Sequence, residues 1–134
     1  MALLDAQAPK PKSPFRRVLP LLIILILILA ALLTYKFYDF REERAATRFL
    51  TVLQQANYPE AYRLWQPSPS YSYQDFLHDW GPEGDYGKVR TFRILSSQSK
   101  GPESVIVTVR INDVEPPRDL LVDRQTKSLA FSPF

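Results

Sequence analysis

The one histidine of the chain, His78, stands in "SYQDFLHDW" beside Asp75 and Asp79. An imidazole with two carboxylates is a set suited to general acid-base catalysis. It also suits a divalent cation, because at this spacing all three side chains share one side of a helix. The other side carries Tyr73, Phe76, Leu77 and Trp80. A helix packs through its apolar face, so the three titratable groups are expected in solvent, away from any positioned substrate. No catalytic residue, metal ligand or cofactor follows from them.

Other chemistry is sparse. The chain has no cysteine, and no serine stands in a recognisable nucleophile turn. "WGPEGDYGK", Trp80 to Lys88, holds three glycines, but a phosphate loop needs them between a strand and a helix, and here they lie between a helix and a strand. A turn is expected. The chain is read as non-enzymatic. Its candidate pocket or interface residues are the aromatics Tyr62, Trp65, Tyr73, Trp80 and Tyr86, large side chains that serve equally in a core, at its rim or against a partner.

Charge removes a further class. Lys10, Lys12, Arg16 and Arg17 face only Asp5 within the first 17 residues, and taking these from the 17 basic and 14 acidic residues of the whole leaves 13 of each. A nucleic-acid binder gathers cations on its folded surface; this balance offers no such excess. Arg41, Arg44 and Arg48 form a basic stripe on the side of their segment opposite its apolar residues, a stripe that would suit anionic lipid or a partner, but Asp39, Glu42 and Glu43 are interspersed with it. Their charges are expected to cancel on a solvated face.

The elements that must hold these residues begin with "RRVLPLLIILILILAALLTYKFY". Val18 to Tyr35 is 18 residues without a charge, about 27 Å as a helix, which just spans a bilayer. The run is apolar on every face, unlike a helix of a small soluble domain. Pro20 is expected in the first turn, where its missing N–H is harmless. Small residues are not found at both positions a signal peptidase reads, so the segment is expected to remain as an anchor, marked along its length by Val18, Leu21, Ile24, Leu27, Ala31 and Tyr35. The basic flank Lys10, Lys12, Arg16 and Arg17 places the amino terminus in the cytoplasm. Residues 1–17 are then a basic, Pro-rich cytoplasmic tail, 18–38 the anchor and 39–134 an extracytoplasmic domain. Tyr35, Phe37 and Tyr38 fall where aromatic rings favour the headgroup zone.

Beyond the anchor, Ala46, Phe49, Leu50 and Leu53 recur at helical spacing over about Phe40 to Gln55. Nothing between Leu33 and Phe40 breaks a helix, so this one is free to run on from the span. Asn57 is expected to end it in the left-handed conformation, and Pro59 to start a second helix carrying Ala61, Tyr62 and Trp65. Ser72 with Asp75 is a capping-box variant opening a third. Strands are expected over Lys88–Ser97, Ser104–Asn112, Arg118–Arg124 and Ser128–Ser132, the second being clearest from its alternating Val105, Val107, Val109 and Ile111. Short connections make them antiparallel. The fold expected is α+β: one transmembrane helix, then two or three helices packed on a curved, four-stranded antiparallel sheet.

"RAATRFLTVLQQANYPEAYRLW", a helix, a break and the Ala61–Tyr62 pair in a second helix, resembles the opening of small bacterial domains of the nuclear-transport-factor-2-like superfamily. The resemblance covers about Arg41 to Phe134. It implies a cone of helices and sheet whose interior is a ligand pocket, a catalytic site or a filled core. A cytoplasmic tail, one span and such a domain also make up an assembly subunit of type IV secretion systems, a likeness of architecture. The function expected is that of a single-pass protein of the bacterial inner membrane whose outer domain mediates protein–protein interaction or assembly with an envelope partner. The alternative is a membrane-tethered small-molecule-binding domain or enzyme using the cone.

Overall fold

The structure, a computed structural model, describes residues 8–11, 13–65 and 68–133; Lys12 of the basic flank lies outside them, as do Gln66 and Pro67 of the break after the second predicted helix. The chain forms two compact units, one up to Lys36 and one from Phe37 onward.

The first unit is built on α1 (Pro14–Phe37), in which no residue is buried. By length and composition α1 is able to cross a membrane. It begins earlier than expected, so Pro20 lies inside the helix and not in its first turn. There its ring removes the hydrogen bond that Arg16 O would otherwise accept. Only a turn at Tyr38–Asp39 interrupts the helical run from Pro14 to Gln54, which otherwise continues as the sequence allows.

The second unit is α+β, with α2 (Phe40–Gln54), α3 (Tyr58–Leu64), α4 (Tyr73–Trp80) and strands β1 (Phe92–Lys100), β2 (Ser104–Ile111), β3 (Arg118–Asp123) and β4 (Leu129–Phe131). The strands form an open antiparallel meander in the order β1-β2-β3-β4. In β2 every second residue is buried, as its alternation demands. Val105, Val107, Val109 and Ile111 pack with Leu120 and Val122 of β3 and with Ala46, Phe49, Leu50 and Leu53 of α2 in one core.

Three local features differ from expectation. The left-handed residue after α2 is Ala56, with φ 55°, not Asn57. Asn57 instead caps α3, its side chain accepting from Glu60 N. Trp65 has left α3 and, in extended conformation at its C-cap, bridges in parallel to Leu129 of β4. β1 starts at Phe92 and not Lys88, because Asn112 has taken the backbone groups ahead of it. Asn112 Oδ1 accepts from Arg90 N at 2.7 Å and Thr91 N at 3.2 Å, while Nδ2 donates to Tyr86 O and Lys88 O.

β1 also shifts register between Ile94 and Ser96. Leu95 is the extra residue of this bulge, 40% exposed. Before it Phe92 and Ile94 are on the core side, opposite Ile111 and Val109; after it Ser97 and Ser99 take that side, opposite Val107 and Val105. One strand thus gives the core an apolar end and a hydroxyl end.

Candidate functional site

The hydroxyl end of β1 receives the acids that open α2. Glu42 is on the apolar face of that helix, four residues before Ala46 and seven before Phe49, and is only 3% exposed. Burying a carboxylate demands compensation. Lys127 Nζ donates to Glu42 Oε1 at 2.7 Å, and Arg124 Nη1 lies 3.6 Å from Oε2. Desolvation alone would push the Glu42 carboxyl up; the Lys127 hydrogen bond, a backbone N–H and the two cations together outweigh it and hold it below the ordinary range. Asp39 accepts from Arg124 Nη2 at 2.8 Å, and Ser97 Oγ donates to Glu43. The Tyr38 ring lies 4.5 Å from the Arg124 guanidinium carbon.

The turn between β3 and β4 supplies the cations because Asp123 shapes it, accepting from Gln125 N, Thr126 N and Thr126 Oγ1. Lys127 there is left-handed, with φ 59°. A non-glycine residue in that region carries strain, which its ion pair with Glu42 offsets. Lys127 Nζ also donates to Arg124 O.

With its acids turned inward, α2 leaves its arginines outside. Arg41, Arg44 and Arg48 are exposed and line one side of an open groove of about 630 Å³, whose other walls are α3 and the β3–β4 turn. Arg63 and Lys127 add positive charge, and Ala45, Leu64 and Leu129 form apolar lining. Glu60 accepts two hydrogen bonds from Arg63 and lies 3.8 Å from Arg48. The arginines are solvated as expected, but the expected cancellation by the acids is corrected: Asp39, Glu42 and Glu43 find their partners on the other side of the helix.

The five candidate aromatics come together through two phenylalanines. Trp65 and Trp80 are buried, and Tyr62, Tyr73 and Tyr86 are half-buried around them. Ring contacts run Tyr73–Tyr62–Phe76–Trp65–Phe49–Trp80–Tyr86, with centroids 4.9 to 6.5 Å apart. Phe131 stacks on Trp80, and Arg118 lies over Tyr86. Phe49, Trp65, Phe76 and Trp80 belong to the buried core, while Tyr86 and Phe131 border an open groove of about 400 Å³.

The trio around His78 is divided among structural tasks. Asp75 completes the capping box with Ser72, and the Ser72 N–H and hydroxyl hold its carboxyl below the ordinary range. Asp79 accepts from Tyr71 Oη at 2.7 Å, and burial together with that carboxylate pushes the Tyr71 phenol up. The His78 side chain is 82% exposed, its Nδ1 3.6 Å from Asp79 Oδ1. Among the described residues no group of three His, Cys, Asp or Glu side chains is placed to hold a metal ion. Gly81, at the C-cap of α4, has no room for a Cβ, which would collide with Leu77 O.

Sequence reasoning found the arginine stripe of α2 but missed the groove that α3 and the β3–β4 turn complete around it. Its signal was Glu42 at helical spacing with Ala46 and Phe49, which puts an acid on the buried face and so implies a buried cation to meet it. Compared with protein-family models, with curated proteins and with solved structures, the chain matches none.

Proposed function

We propose that this is a single-pass protein of the bacterial inner membrane, with its amino terminus in the cytoplasm and a nuclear-transport-factor-2-like outer domain that binds an envelope protein without catalysing a reaction. The observation that carries the reading is the interior of the domain. Phe49, Trp65, Phe76 and Trp80 meet ring to ring where a cone-shaped enzyme or receptor would keep room for a ligand. What such a domain offers is its surface. The apolar, unburied α1 and the cations Lys10, Arg16 and Arg17 before and at its start support the anchor and its direction.

The absence of native cysteine makes the test direct, because any introduced one is unique. In intact spheroplasts a membrane-impermeant maleimide should label Gln98→Cys and spare Ala8→Cys. Photo-crosslinkers on the exposed face of the sheet should then yield one reproducible protein adduct. Labelling of Ala8→Cys alone would reverse the topology, and crosslinks to nothing but lipid would remove the binding role.

A further inference from the structure

We infer that the arginine groove between α2, α3 and the β3–β4 turn binds the phosphate headgroups of anionic phospholipid in the leaflet next to the domain. The inference rests on the anchor reading above and adds a ligand to it.

Charge complementarity carries the argument. Five cations, Arg41, Arg44, Arg48, Arg63 and Lys127, line the groove. Lys127 is spent on buried Glu42, and Glu60 answers Arg63 and stands near Arg48. Arg41 makes no ion pair among the described residues, and the contact of Arg44 is with the Phe40 ring, 5.7 Å away. Guanidinium groups without carboxylate partners match phosphate oxygens in a bidentate fashion.

Position favours lipid over other anions. Arg41 follows Tyr35, the last residue of the uncharged run, by six positions, so the chain keeps it within about 20 Å of the end of that run. Phe37, Tyr38 and Phe40, which intervene, are 53%, 60% and 44% exposed. Exposed aromatics followed by arginines on an amphipathic helix are the composition of a membrane–water interface. Basic residues so near a membrane are drawn to its anionic lipids.

The test uses the full chain in nanodiscs of phosphatidylcholine, with or without phosphatidylglycerol, containing lipid spin-labelled at the headgroup. A fluorophore on Thr47→Cys, in the groove, should be quenched several-fold more when phosphatidylglycerol is present, whereas one on Gln98→Cys should not respond. Arg41→Gln with Arg44→Gln should halve the difference, and Arg41→Glu with Arg44→Glu should abolish it, as should high salt. Equal quenching at Thr47 in both lipids, or a response indifferent to the arginines, overturns the inference. So does a Thr47 label insensitive to phosphatidylglycerol together with a protein adduct from a photo-crosslinker at Thr47 in spheroplasts, which would give the groove to an acidic partner segment. A label on Ile26→Cys separates the two readings. If acyl-chain spin labels fail to quench it, the anchor falls and the lipid site with it; if they succeed and only Thr47 fails, the anchor stands alone.

Discussion

Lys127 Nζ donates to Glu42 Oε1 at 2.7 Å, joining the first turn of α2 to the β3–β4 hairpin across 85 residues of sequence. Removing the cation leaves a buried carboxylate facing only Arg124. Lys127→Ala should therefore lower stability by about 2 kcal/mol, read from denaturant unfolding of the detergent-solubilised chain. Replacing both partners by leucine should be milder than Lys127→Ala alone, since no unpaired charge remains.

Glu42 also sets a pH dependence. Its folded carboxyl titrates below the ordinary value of 4.5, so the unfolded chain takes up the proton first as pH falls. The stabilisation is complete above that ordinary value and is lost as pH drops through the folded one. Melting temperature should decline as pH falls below the ordinary value of 4.5, and decline less in Glu42→Gln.

Asn112 should be the most sensitive loop position. Its side chain makes four hydrogen bonds to the backbone between Tyr86 and Thr91, and its φ of 53° is one that asparagine tolerates. Asn112→Ala should cost about 3 kcal/mol. Asn112→Asp, which keeps the acceptor and loses the two N–H donors, should fall between alanine and wild type in the same unfolding assay.

Ala56 invites the opposite change. A φ of 55° disfavours a Cβ, and the residue is exposed. Ala56→Gly should raise stability by about 0.5 kcal/mol, the relief of strain exceeding the added entropy of the unfolded chain. A fall in the denaturation midpoint would refute the strain argument.

Where a pattern is local, the sequence revealed it. The alternation of Val105 to Ile111, the Ser72–Asp75 box and the apolar face of α2 each depend on neighbours a few positions away, and each formed as expected. What was hidden depends on partners far along the chain. The start of β1 is set by Asn112, and the bulge at Leu95 changes which residues of that strand face inward halfway along it. The outward stripe of Arg41, Arg44 and Arg48 is local and was legible, but the rest of the groove was hidden for the same reason: the cations that meet the acids of α2, Arg124 and Lys127, lie some 85 residues on.

The hairpin that holds Lys127 lies past the end of β3, while Asp119, near the start of that strand, joins Asp79 and Asp85 around a second, smaller groove. Three carboxylates with Arg118 thus stand toward one end of a strand about 20 Å long, and the exposed arginines of the first groove toward the other. From residue 39 onward 12 basic residues meet 13 acidic ones, so the domain carries an uneven placement of charge far more than a net one. In the field above a charged bilayer it would experience a torque even though it feels almost no net pull.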